Sequence, residues 1–81
     1  MKLDLYYYEQ CPFCQMVLRK IKSLELQSKI QFKNTLEDST HRDFHMKNTG
    51  RSTVPCLYVD DKPMFESSEI MNWLEENHTK I

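Results

Sequence analysis

The chain is poor in glycine. Its 81 residues contain one, Gly50, where average usage would give about six. Loops that cradle phosphate groups, whether of the P-loop or the dinucleotide-binding type, need several glycines to bring backbone N–H groups against the ligand, so neither can be written here. Net charge is also lacking. Eleven Lys and Arg face 12 Asp and Glu, giving −1, and a near-neutral surface has no general pull on nucleic acid or an anionic bilayer. The densest basic group, Arg19, Lys20 and Lys22, reads as the solvated face of a helix. No apolar run approaches the roughly 18 residues of a membrane span. Met1-Lys2-Leu3-Asp4 carries no apolar signal core, so a cytoplasmic location is expected, in which thiols stay reduced.

Cysteine is odd in number and unevenly placed. Of the three, two stand as Cys11-Pro12-Phe13-Cys14 and the third is Cys56. An odd number with this spacing does not suit a structural disulfide framework and suits a redox or metal-binding pair. A zinc site needs two more ligands. The candidates Cys56, His41, His45 and His78 have no knuckle spacing to another Cys, and Pro12 at the first turn of a helix favours redox chemistry. No metal is therefore expected. His41 and His45 read as solvated helix residues.

Hydrophobic patterning orders the elements. Leu3 to Tyr8 reads as a buried strand, and Pro12 opens a helix whose Val17, Leu18, Ile21 and Leu24 share a face and which ends near Leu26. Ile30, Phe32 and Leu36 mark a second strand. Thr40-His41-Arg42-Asp43 resembles a capping box and starts a weakly amphipathic helix that stops before Gly50. Thr53-Val54-Pro55 leads into a third strand, Cys56–Val59, with a turn at Asp60-Asp61-Lys62 and a short edge strand at Pro63-Met64-Phe65. Ser67 or Ser68 is the expected cap of a last helix with Ile70, Trp73 and Leu74 facing inward. The order βαβαββα predicts an α/β fold: one domain over residues 1–81, a four-stranded mixed sheet flanked by three helices.

Within that frame Cys11 lies at a helix N-terminus, where unpaired N–H groups and the helix dipole favour thiolate over thiol. Cys14, one turn on, lies deeper and is less activated. The pair divides into a nucleophile and a resolving thiol.

Cys11-Pro-Phe-Cys14, Thr53-Val54-Pro55 and the element order together make the chain resemble a glutaredoxin, over essentially all of its length. That resemblance implies a thioredoxin-like fold and a glutathione-dependent dithiol–disulfide oxidoreductase. Glutathione would be its co-substrate, and glutathionylated or disulfide-containing proteins its partners, with a monomer as the default. It implies that Pro55 is a cis-proline facing the cysteines, with Thr53 and the Val54 backbone holding glutathione, and that Pro12, Phe13 and Tyr8 support the active site. The γ-glutamyl end would sit at the start of the last helix, on Glu66, Ser67 and Ser68.

Two departures stand out. Many glutaredoxins carry Gly-Gly before that helix, whereas this chain has Phe65-Glu66 and reads Glu-Ser-x-x-Ile, similar to the N-terminal domain of glutathione transferases. Tyr8-Glu9-Gln10 replaces the basic residue often found ahead of the first Cys, leaving Arg51 as the best cation for the glycine carboxylate. Cys56 reads as a buried small hydrophobe. A complete transferase is not expected, because 81 residues leave no room for its helical second domain. A thioredoxin-like reductase that ignores glutathione, and a non-catalytic module binding glutathione or an iron–sulfur cluster, are the alternatives.

Overall fold

A computed structural model describes residues 1–81. The strands are β1 (Leu3–Tyr7), β2 (Gln31–Asn34), β3 (Cys56–Val59) and β4 (Lys62–Met64). The helices are α1 (Pro12–Ser23), α2 (Ser39–Thr49) and α3 (Ser67–Asn77), with single 3₁₀ turns at Gln27–Lys29 and His78–Lys80. The sheet runs β2-β1-β3-β4. β1 and β2 are parallel, with Leu5 opposite Phe32, while β1–β3 and β3–β4 are antiparallel, with Leu5 opposite Leu57 and Leu57 opposite Met64. This is the expected thioredoxin-like fold.

Alternation along the strands gives the sheet two unlike faces. Leu3, Leu5 and Leu57 point to the side of α1 and α3, where they pack with Val17, Ile21, Leu26, Ile30, Ile70 and Leu74 in the main core. Trp73 joins this core only from its margin. Asp4, Tyr6, Cys56 and Tyr58 occupy the other face, beneath α2, where Tyr6, Cys56 and Tyr58 form a smaller cluster flanked by Val54 and Phe65. Cys56 is fully buried there, as its sequence position predicts.

Beyond one-residue shifts at the ends of β1 and β4, four boundaries differ from the sequence reading. α1 ends at Ser23 rather than near Leu26, because Glu25 turns left-handed at φ 57°. The Leu26 N–H then donates to the Ile21 carbonyl (3.0 Å) and the Glu25 N–H to that of Lys22 (3.1 Å), a Schellman closure that folds Leu26 back onto Ile21 in the core. β2 excludes Leu36, which is 63% exposed in a turn where Asn34 Oδ1 accepts the Leu36 and Glu37 N–H groups. α2 is capped by Asp38, whose carboxylate accepts the Thr40 N–H at 2.9 Å, so Thr40 lies inside the helix. α3 is capped by Glu66 rather than a serine, and Glu66 makes no side-chain cap bond.

Glycine scarcity shows in the turns. Gly50 takes the left-handed cap of α2 at φ 76°. The three other left-handed positions carry Glu25, Asp60 and Asp61. The Asp60–Asp61 pair closes the β3–β4 hairpin, and Asp60 Oδ1 accepts the Lys2 N–H at 2.8 Å, a long-range bond that ties the hairpin to the start of the chain.

Candidate functional site

The loop after β1 delivers Cys11 to the N-cap of α1, and Pro12 occupies the first helical position, where no N–H is required. Cys11 Sγ accepts the Cys14 N–H at 3.3 Å. Its thiol also lies 4.0 Å from the Val54 carbonyl. Cys11 is 6% exposed and Cys14 is fully buried, so the two differ in depth as expected. Burial, the largest influence, pushes the Cys14 thiol up to about 12, with smaller contributions from Cys11. Burial does the same to Cys56, again to about 12. Cys14 and Cys56 therefore hold their protons at neutral pH.

Opposite Cys11, the Val54–Pro55 peptide is cis. Pro55 is buried, Val54 half-buried, and the Val54 N–H makes no backbone hydrogen bond within the chain. A cleft of about 180 Å³ opens beside this turn, lined by Phe13, Arg51, Thr53, Val54, Pro55, Phe65, Glu66 and Ser67. Three separate segments thus meet: the start of α1, the loop before β3, and the start of α3. Phe13 is 60% exposed at the rim. Because Glu66 does not cap α3 with its side chain, the first-turn N–H groups beside Ser67 remain suited to a carboxylate.

Most sequence-chosen residues converge here. Tyr8, Cys11, Pro12, Cys14 and Ser68 do not themselves line the cleft. Tyr8 instead supplies the carbonyl that accepts the Cys11 N–H at 3.4 Å, and Ser68 is exposed on the first turn of α3. Arg51 reaches the cleft through an unforeseen partner: its guanidinium carbon lies 3.8 Å from the Phe65 ring centroid, a cation–π contact that fixes the cation at the wall.

One sequence expectation is reversed. His45 is not a solvated residue but fully buried, with Nδ1 2.8 Å from the Tyr58 hydroxyl and Nε2 2.8 Å from the Thr53 carbonyl. The signal available was the lack of any aliphatic residue on α2 to face the sheet. A larger hollow of about 370 Å³, lined by residues such as Asp4, Tyr6, Lys33 and His41, lies along the β1–β2 side of α2 and includes no cysteine. No group of three or more His, Cys, Asp or Glu side chains is arranged to hold a metal ion, and no helix is long and apolar enough to cross a membrane.

A Cys-x-x-Cys at the start of α1 facing a cis-proline turn defines a thioredoxin-like domain. Within that class residues 5–80 match the glutathione S-transferase N-terminal domain, and the chain belongs to this family. An epsilon-class glutathione S-transferase from the housefly, Musca domestica, superposes with a TM-score of 0.78 at 26% identity, covering 99% of this chain and 37% of that one. A glutathione transferase homologue from Drosophila mojavensis, solved with bound glutathione, gives 0.78 at 23% identity over 98% of this chain and 36% of that one. A thioredoxin-like protein of similar size gives 0.74 at 17% identity, covering 91% of this chain and 99% of that one. Comparison with curated proteins gives no match.

The chain spans little more than a third of the transferases it resembles. The family is thus that of the transferase N-terminal domain and not the glutaredoxin family that Cys11-Pro-Phe-Cys14, Thr53-Val54-Pro55 and the element order together suggest. The Glu66-Ser67 segment is the part of the sequence that already leaned this way.

Proposed function

We propose that this domain is a glutathione-dependent thiol–disulfide oxidoreductase, with Cys11 as nucleophile and Cys14 as resolving thiol. The observation that carries the reading is Cys11 Sγ at the N-cap of α1, accepting the Cys14 N–H at 3.3 Å across from the cis-proline turn. A donor aimed at sulfur favours the thiolate that disulfide exchange requires. Family membership and a fold neighbour holding glutathione support the choice of co-substrate.

In this reading the γ-glutamyl carboxylate sits on the Ser67 hydroxyl and the first N–H groups of α3, with Ser68 supporting from the same turn and Glu66 pairing with the ammonium. The Val54 backbone pairs with the cysteinyl part as a one-residue strand addition. Arg51, stacked on Phe65, meets the glycine carboxylate. Cys11 thiolate attacks the glutathione sulfur of a protein mixed disulfide; the protein leaves as thiolate and Cys11 carries glutathione. A second glutathione thiolate then attacks that glutathione sulfur, releasing glutathione disulfide and restoring Cys11. In the alternative route Cys14 attacks Cys11 Sγ, expels glutathione and leaves an internal disulfide. The chemistry fits a reducing, cytoplasmic setting and a protein acting as a monomer.

The test is glutathione-coupled reduction of a small glutathione mixed disulfide. Cys11→Ser abolishes turnover if the assignment is right; full activity in that variant overturns it. The family match favours a second reading, in which the same cleft activates glutathione for transfer to an electrophile within a longer protein. Conjugation of a chlorinated nitrobenzene that survives Cys11→Ser would select it. A thioredoxin-like reductase would show disulfide reduction without saturable glutathione binding, and a cluster carrier would purify coloured in the absence of oxygen.

A further inference from the structure

We propose that His45 is the positioning residue of the glutathione cleft, holding the Thr53 carbonyl through a directional hydrogen-bond relay and thereby aiming the Val54 backbone at the ligand. This inference rests on the reading of the cleft given above.

The direction of the relay follows from chemistry. A peptide carbonyl only accepts, so the 2.8 Å contact between Nε2 and the Thr53 oxygen places the proton on Nε2. With one ring proton, and that on Nε2, Nδ1 accepts, and its partner at 2.8 Å, the Tyr58 hydroxyl, donates to it. The Tyr58 oxygen in turn accepts from Asn48 Nδ2 at 3.3 Å. Every polar atom of the buried imidazole has one partner and one role, which selects a single tautomer and a single ring orientation.

The ring is also held by its faces. Tyr6 stacks on it at 5.2 Å between centroids and 19° between planes, and Phe65 lies at 5.7 Å. Phe65 is the ring that carries Arg51. Both walls of the cleft, the Thr53–Val54 ledge and the Phe65–Arg51 pair, therefore bear on one side chain.

The ledge needs such an anchor. Residues 51–55 form no regular structure between α2 and β3, and two α2 side chains one turn apart tie them down. Thr49 Oγ1 accepts the Arg51 N–H at 3.2 Å, while its one proton lies between the His45 carbonyl at 2.8 Å and the Arg51 carbonyl at 2.9 Å. His45 holds Thr53, the residue before the Val54–Pro55 turn. A solvated surface histidine has none of these features. A hydrophobic core residue at this position would fill the space and leave the ledge untied.

Three variants and one spectrum test the inference. In the mixed-disulfide assay, His45→Leu keeps the packing volume and cuts the tie; glutathione KM should rise tenfold or more (about 1.4 kcal/mol per tenfold) while kcat falls less than threefold. His45→Gln, whose amide both donates and accepts, should recover most of that loss, which restored packing alone would not achieve. Tyr58→Phe removes the donor to Nδ1 and should raise KM by a smaller factor. Two-bond ¹H–¹⁵N correlation on the wild-type ring should show one tautomer, protonated at Nε2.

Unchanged KM in both His45→Leu and Tyr58→Phe, or a ring protonated at Nδ1, overturns the proposal. If His45→Leu does not fold, Tyr58→Phe and the ring tautomer still decide. Wild-type protein that fails to bind glutathione in titration would instead sink the functional reading from which this one starts.

Discussion

The two cysteines should contribute unequally, and the inequality can be calculated. Burial, the largest influence, pushes Cys14 from its ordinary value of 9.0 to about 12. That cause persists after Cys11 has taken up glutathione, because it comes from the core around Cys14 and not from the Cys11 charge. At about pH 7.5 an ordinary thiol is roughly 3% thiolate, and one displaced to about 12 is roughly a thousandfold less ionised. The more basic sulfur is the better nucleophile, and a Brønsted slope of about 0.4–0.5 returns roughly twentyfold. The resolving attack is then about 50-fold slower than an unburied thiol in the same geometry would achieve. Cys11 Sγ, by contrast, sits at a helix N-cap and accepts an N–H. Glutathione itself should therefore discharge the Cys11 adduct faster than Cys14 does.

The expected outcome is that Cys14→Ser retains at least half of the wild-type activity on a small glutathione mixed disulfide. Formation of the Cys11–Cys14 disulfide from the isolated Cys11–glutathione adduct, followed by mass spectrometry, should quicken about tenfold per pH unit from about pH 6 to 9. A rate that levels off near neutral pH would refute the reasoning, because it would mean that Cys14 is already ionised. A Cys14→Ser variant with less than a tenth of wild-type activity would refute it equally.

Other consequences concern stability. Cys14, Cys56 and Tyr6 are all pushed up to about 12 by burial, from 9.0, 9.0 and 10.0. The folded chain keeps protons that the unfolded chain gives up, so stability should be flat below about pH 9, decline as pH rises and be lost toward about pH 12, as read by alkaline titration of circular dichroism. Glu25→Gly should raise stability by about 0.5–1 kcal/mol in urea unfolding, since Glu25 sits at φ 57° and the gain from relieving it exceeds the entropy cost of glycine. Gly50→Ala should cost about 1 kcal/mol: an added Cβ meets nothing within 4 Å, so the penalty is that of φ 76° alone. Asp4 is 6% exposed and its Oδ1 has no hydrogen-bond partner. Asp4→Leu should stabilise by about 1 kcal/mol in the same assay.

What the sequence made legible follows from where its signals are local. The Cys11–Cys14 spacing and Pro12 specify a helix start by themselves, and the aliphatic alternation of β1 and β3 specifies which face meets α1 and α3. The α2 layer was harder to read because its inward residue is a histidine. Polarity counts against burial in any pattern argument, and only the third dimension supplies the Tyr58 hydroxyl and Thr53 carbonyl that satisfy both ring nitrogens. The start of α3 departs from its sequence pattern for a related reason. Ser67 and Ser68 have the chemistry of caps, but with Glu66 at the cap position both serines fall inside the first turn.

That displacement bears on function. A serine spent on capping would occupy the N–H groups that a carboxylate ligand needs, whereas a serine one residue inside adds its hydroxyl to them. Ser67 lines the cleft from that first turn, next to Glu66. The glycine shortage and the ligand site are thus linked. Phe65 packs on His45 and holds Arg51, contacts that a glycine at this position could not make. The chain builds its cleft from rigid side chains supported by a buried histidine where a glycine turn would have relied on bare backbone.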